Sequence, residues 1–302
     1  MSFDRLQEKI DELKNPTVVG LDPAIESIPP EILEKHIKEK GETLEAGAEA
    51  VLELSIGLID VLCDIVPAVK PQSAFYEAFG HVGVGALKAT IDYAKKRGMY
   101  VILDGKRNDI GSTAEAYAAA YLGTVKIGNT EIFPFDVDAL TINAYLGSDG
   151  IKPFLNAAKK YDRAMFALLK TSNPSAGELQ DKKIDGKAVY TILGEMMEDI
   201  SRDTVGRFGF SRIGAVVGAT YPEELKFLRA HLKNTFFLVP GYGAQGGSAK
   251  SVAPAFDKNG RGAIVNSSRG IIAAWKNTGS DYRVAARNEA LKMRDEFRVA
   301  GF

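Results

Sequence analysis

Val101-Ile102-Leu103-Asp104-Gly105-Lys106-Arg107-Asn108-Asp109-Ile110 opens as an apolar β-strand and closes in a cluster of charge. Side chains alternate faces along a strand, so Asp104 and Lys106 point the same way. An acid and an amine at the end of a buried strand are costly to bury unless each is paired and hydrogen-bonded. Taken alone, an Asp-x-Lys also fits a structural ion pair. Here Asp109 adds a second carboxylate just past the strand, and Thr113 adds a hydroxyl about one helical turn further on. So many polar groups directly behind an apolar strand point to a site.

Working outward, the same form recurs. Apolar runs ending in polar or glycine residues lie at 17–22, 68–72, 139–144, 164–170, 212–219, 236–241 and 262–269. With 100–106 they make eight candidate strands. Between them, residues 43–65, 84–97, 113–122, 151–160, 188–205, 221–232 and 284–298 carry apolar positions near a helical period. Pro222 suits the first turn of its helix. Near-continuous apolar strands alternating with amphipathic helices specify a parallel sheet covered by helices. Eight such units predict an α/β protein with a closed (β/α)8 TIM barrel; a doubly wound open sheet is the alternative. No linker or low-complexity tract interrupts the 302 residues, so one domain over 1–302 is expected. Two connections, 23–42 and 173–187, are longer than a barrel needs. The second starts at a candidate site and reads as a lid or specificity loop.

Composition narrows the function. With 38 basic and 39 acidic residues, there is no net field to draw nucleic acid or an acidic membrane, and neither partner is expected. A small anionic substrate would need a local pocket. The single cysteine, Cys63, excludes an internal disulfide and a multi-cysteine metal site. With no signal peptide and no apolar run long enough to span a bilayer, a soluble cytoplasmic protein is expected. His36, His81 and His231 are scattered, which argues against histidine-based catalysis or metal binding.

In a parallel barrel the site forms where the strands end. The first strand ends in Asp22, the second carries Lys70 and Gln72, and the third Asp104 and Lys106. The fifth ends at Lys170, Thr171 and Ser172. The seventh opens into Pro240-Gly241-Tyr242-Gly243-Ala244-Gln245-Gly246-Gly247, and the eighth into Asn266-Ser267-Ser268-Arg269-Gly270. Glycines in 241–247, Gly246 among them, leave backbone N–H groups bare for an anion. Gln245 adds an amide, and Arg269 adds a fork-shaped charge suited to phosphate. The Gly-x-Gly-x-x-Gly string at 241–246 does not fit a dinucleotide site, because it follows the seventh strand and no ribose-binding acid follows it. Asp22, Lys70, Asp104, Lys106 and Asp109 form an array of acids and amines with no activated serine or cysteine. Carboxylates can hold magnesium, but these lysines already neutralise them, so no metal is expected. Such an array can stabilise negative charge growing on a substrate carbon and deliver a proton to it.

These motifs resemble the orotidine 5′-phosphate decarboxylase family in its longer bacterial-type form. The resemblance rests on Val19-Gly20-Leu21-Asp22, 69–77, Leu103 to Ile110, Thr171-Ser172-Asn173-Pro174, 239–247 and 266–270, in the family's order. It implies a dimeric barrel that converts orotidine 5′-phosphate to UMP and CO2 without a metal or organic cofactor. By the same resemblance, Asp104 would lie against the substrate carboxylate, and Lys106 would protonate the carbon that loses CO2. Lys70 and Asp22 would hold ribose hydroxyls, and Asp109 and Thr113 would reach into the partner subunit's site. Ser172 would bond the pyrimidine, Gln245 would bridge base and phosphate, and Arg269 would clamp the phosphate. Three rivals remain: a magnesium-dependent sugar-phosphate relative, an aldolase using Lys70, Lys106 or Lys170 as a Schiff base, and a non-catalytic nucleotide-binding barrel.

Overall fold

A computed structural model describes residues 1–243 and 247–302. Its eight apolar runs form β1 (Thr17–Leu21), β2 (Ala68–Pro71), β3 (Tyr100–Arg107), β4 (Ala139–Ile142), β5 (Ala164–Lys170), β6 (Ile213–Val217), β7 (Phe237–Pro240) and β8 (Ala263–Ser267). Each pairs in parallel with its neighbours in chain order, and β8 pairs with β1 to close the barrel. The open-sheet alternative is therefore excluded.

Period-two alternation explains why both faces of these strands are apolar. Val19, Val69, Val101, Leu103 and Val265 pack outward against the helices, while Val18, Ala68, Tyr100, Ile102, Phe166 and Ile264 fill the lumen. Two residues further along four of the lumen rows the chemistry changes. Lys70 follows Ala68, Asp104 follows Ile102, Thr141 follows Ala139 and Asn266 follows Ile264, and all four are buried. The barrel therefore ends in a polar layer at its C-terminal rim.

The helical segments lie where the periodicity put them, from Leu44–Leu62 and Gly80–Lys96 round to Tyr282–Val299. A further helix, Ser2–Leu13, was not read from the sequence. Its Phe3, Leu6 and Ile10 fall on one face, and the Phe3 ring lies 4.9 Å from both Phe166 and Phe236. It stoppers the N-terminal end of the barrel.

The two long connections are more ordered than expected. Residues 23–42 hold the helix Pro30–Lys40, started by Pro30 and held down by Ile32 and His36. The His36 ring sits between Glu49 at 3.3 Å and Glu53 at 2.8 Å. Within 173–187, strands Lys183–Ile184 and Lys187–Ala188 form a hairpin. Its Asp185-Gly186 turn has φ of 50° and 83°, the left-handed pair such a tight turn requires. A second unread hairpin joins Val125–Ile127 to Thr130–Ile132.

Candidate active site

The Asp104 carboxylate is the centre of the polar layer. Its Oδ2 accepts from Lys70 Nζ at 2.9 Å and Gln72 Nε2 at 3.0 Å. Its Oδ1 accepts from Lys106 Nζ at 2.7 Å and Thr141 Oγ1 at 2.8 Å. Four donors use all the lone-pair positions a carboxylate offers. Burial alone would favour the protonated acid, but the Lys70 and Lys106 charges outweigh it and hold the carboxyl well below the usual carboxylate range. Burial likewise opposes the charge on Lys70, yet Asp104 and then Asp22 raise its pKa above the ordinary amine value. The Lys70 ammonium lies 3.8 Å from Asp22 Oδ1, which accepts no hydrogen bond among the described residues.

Lys106 is reached by an irregular path. The β3–β4 ladder steps from Leu103↔Leu140 directly to Arg107↔Ile142. Asp104, Gly105 and Lys106 thus stand opposite Thr141 alone, and Lys106 has φ +47°. A non-glycine residue held there costs roughly 1–3 kcal/mol. The expected shared face of Asp104 and Lys106 is realised, but through a left-handed bulge rather than a plain pleat. Arg107 braces the turn by donating to the Gly105 carbonyl at 3.2 Å and to Glu77. The Lys106 side chain remains 46% exposed, so its ammonium is open to a ligand.

The β8 end adjoins this cluster through β1. Gly20 is required there: a Cβ would lie 1.9 Å from Ser268 Oγ. In the β1–β2 register Gly20 faces Lys70. Arg269 begins the short helix Arg269–Ile272 next to Ser268, is exposed, and has no ion-pair partner among the described residues. Across from it, Gly241 and Gly243 take φ of 103° and 72°, and Gly243 N–H donates to the Gly247 carbonyl at 2.9 Å. A cavity of about 180 Å³ beside these glycines is lined by Gly243, Gly247, Ser267 and Gly270 and, from the last helix, by Glu289, Lys292 and Glu296, while Arg269 stands outside its walls. Gln245 and Gly246, expected in the anion cradle, lie outside the described residues.

Lys70, Lys106 and Arg269 therefore share one rim, with Asp22 and Asp104. Ser172 stands at the same rim past β5, packed against Gly218 after β6. Asp109 and Thr113 lie apart from the network: the Asp109 carboxylate accepts from the Ile110 N–H at 2.8 Å, and Thr113 is exposed. Lys170 is withdrawn. It is 1% exposed, pairs with Asp181 at 2.5 Å and sits under the Tyr190 and Tyr221 rings. It anchors the 173–187 connection and is a poor Schiff-base candidate. A larger cavity, about 650 Å³, opens at the other end of the barrel near Lys14, Arg261 and Phe302. Its Arg261 is already paired with Asp11 at 2.7 Å, and the acid–amine array is not there. Among the described residues no His, Cys, Asp and Glu side chains gather as a metal-ligand set, and no helix is long and apolar enough to cross a membrane.

Two members of the network carried no role in the sequence reading. Gln72 enters the sequence reading as a strand end and within the 69–77 segment of the resemblance, and Thr141 only as part of an apolar run. The signal for Thr141 was parity: it is two residues beyond lumen-facing Ala139, at the height of Asp104.

Fold and rim together define a TIM-barrel enzyme built around a buried carboxylate and two ammonium groups. The chain belongs to the orotidine 5′-phosphate decarboxylase / HUMPS family, whose sequence model matches residues 18–282. It is 44% identical to an orotidine 5′-phosphate decarboxylase of Rhodopirellula baltica over 270 residues, covering 89% of this chain and 87% of the relative. It is 37% identical to that of Caldicellulosiruptor bescii over 298 residues, 98% of each chain. The solved Leishmania donovani OMP decarboxylase superposes with a TM-score of 0.71 at 31% identity, covering 97% of this chain and 98% of that one. The chain also matches the Leishmania donovani UMP synthase with a TM-score of 0.75 at 32% identity, but spans only 56% of its length.

Proposed function

We propose that this protein converts orotidine 5′-phosphate to UMP and CO2, the decarboxylation that completes pyrimidine nucleotide synthesis, without a metal or organic cofactor. The observation that carries this reading is the Asp104 carboxylate held between Lys70 and Lys106 at the rim that also bears Arg269. On this reading Asp104 stands against the substrate carboxylate, and loss of CO2 relieves the contact of two anions. The electron pair of the broken bond stays on ring carbon C6. That carbanion has no sink in the ring, so the fixed Lys106 charge stabilises it and then supplies the proton, leaving an amine that solvent reprotonates. Asp104 has no free lone pair to offer a cation, which supports chemistry without a metal.

In the same reading Asp22 and Lys70 take the ribose hydroxyls. Ser172 bonds the pyrimidine. Gln245 bridges base and phosphate, Gly246 offers its N–H to the phosphate, and Arg269 clamps it. Asp109 and Thr113 act across a homodimer interface. Exposed Ile110, Tyr117, Tyr145 and Leu146 lie on the same β3 and β4 connections and suit such an interface. We place the reaction in the cytoplasm, where a lone unpaired cysteine is at home.

The test is the ultraviolet absorbance change of orotidine 5′-phosphate on mixing with the enzyme in excess chelator. Turnover unaffected by chelator is expected. Loss of activity in chelator, restored by magnesium, would favour a sugar-phosphate relative. Tight UMP binding without turnover would favour a binding protein.

A further inference from the structure

We propose that Thr141 is a positioning residue whose single hydroxyl fixes both the Asp104 carboxylate and the left-handed turn that presents Lys106. The inference rests on the decarboxylase reading for its catalytic consequence, but not for its geometry. Three residues of β3 stand opposite one residue of β4, so the Lys106 N–H has no backbone carbonyl across the ladder. It donates instead to Thr141 Oγ1 at 2.9 Å. Asp104 is ionised and only accepts, so the one hydroxyl proton goes to Asp104 Oδ1 at 2.8 Å. The direction of both bonds is thereby set: Lys106 N–H to Thr141, and Thr141 O–H to Asp104. Thr141 is 1% exposed.

Lys106 Nζ also donates to Asp104 Oδ1, at 2.7 Å. The hydroxyl therefore closes a ring: backbone of Lys106, Thr141, carboxylate of Asp104, ammonium of Lys106. Without it the φ of +47° at Lys106 loses its tether, and the ammonium is free to leave the geometry needed at the reacting carbon. A misplacement of about 1 Å at a reacting group costs on the order of 10²-fold in rate.

The experiment compares Thr141→Val, which keeps the shape and removes the hydroxyl, with Thr141→Ser, which restores it. For Thr141→Val, kcat on orotidine 5′-phosphate is expected to fall roughly 10- to 100-fold, with little change in KM or in UMP affinity. Thr141→Ser is expected to recover most of the loss. Hydrogen exchange at the Lys106 amide, read without substrate, should be fast in the valine variant and slow in the wild-type and serine proteins. Thr141→Ala replaces the valine variant if that chain does not fold. A valine variant with wild-type kcat, or a serine variant as slow as valine, would overturn the proposal, as would unchanged exchange at Lys106. If the wild-type protein does not turn over orotidine 5′-phosphate, the functional reading fails, while the exchange measurement still decides whether Thr141 holds the turn.

Discussion

Replacing Lys70 by methionine removes one ammonium from the centre of the network and keeps most of its volume. Lys70 is 4% exposed, its Nζ is 2.9 Å from Asp104 Oδ2, and the carboxylate itself is 7% exposed. At an effective dielectric constant near 20, two unit charges at that separation attract by about 6 kcal/mol. Desolvation of the lysine cancels part of this. Breaking a buried pair by removing one partner costs about 3–5 kcal/mol, because the other charge is left stranded. Here Lys106, Gln72 and Thr141 still hold Asp104, so the low end, about 3 kcal/mol, is expected.

The pH dependence of that deficit tests its origin. Asp104 has a depressed folded pKa, so its stabilisation is present above the unfolded value, about 4, and fades as pH falls below it. Lys70 has a raised folded pKa, so its share is complete below about 10.4 and fades as pH rises through the folded value. The difference between wild type and Lys70→Met, measured by urea unfolding, should form a plateau from about pH 4 to about pH 10 and narrow on both sides. Decarboxylation should also collapse, since the ribose loses a donor and Asp104 gains freedom. A variant within about 0.5 kcal/mol of wild type, the range of an ordinary surface substitution, would refute the reasoning. So would a deficit that does not narrow in acid or base.

Three further outcomes follow from the same geometry. Lys106→Ala should abolish decarboxylation while leaving circular dichroism and oligomeric state unchanged, because this side chain is half-exposed and contributes little to packing; retained activity removes it from the role of acid. Arg269→Ala should lower kcat/KM by several kcal/mol, the order expected for losing a desolvated charge-assisted phosphate contact; near-normal efficiency in steady-state kinetics counts against that assignment. Mixing Lys106→Ala with Asp109→Ala subunits should regain roughly a quarter of wild-type activity, since half of randomly assorted dimers are mixed and one site in each is intact; no recovery after mixing and refolding argues against a shared site.

Strand positions were legible because a strand buried on both faces must be apolar throughout, and each of the eight runs is bounded by glycine or charge. The charged rim was legible for the same reason: Lys70 and Asp104 break apolar rows where nothing else excuses them. Helix Pro30–Lys40 was harder to see, since only Ile32 and His36 are buried and the remaining residues read as a charged connection. The helix Ser2–Leu13 carries a clear apolar face, but the strand-based count began at Thr17. Thr141 escaped because a lone threonine in a strand is ordinarily a β-former. Only the skipped ladder position beside Lys106 shows that its hydroxyl replaces a backbone carbonyl.

The arrangement also explains why this site needs a barrel. Asp104 and Lys106 come from one strand, but their pairing is set by Lys70 on β2 and Thr141 on β4, which flank β3 on either side. Each neighbour delivers one donor to a different oxygen of the same carboxylate, so the charge is fixed from both sides without a loop. The proposed phosphate contacts, by contrast, belong to the β7 and β8 connections, with β1 standing between β8 and β2. On the proposed reading, charge is rigid where the bond breaks and contacts are loop-borne where the substrate is held, the division expected when distant binding energy orders the site. A truncated substrate lacking the phosphate should then lose kcat as well as affinity. If it lost affinity alone, the phosphate contacts would act as a simple anchor, and the rigid network would have to account for the whole rate by itself.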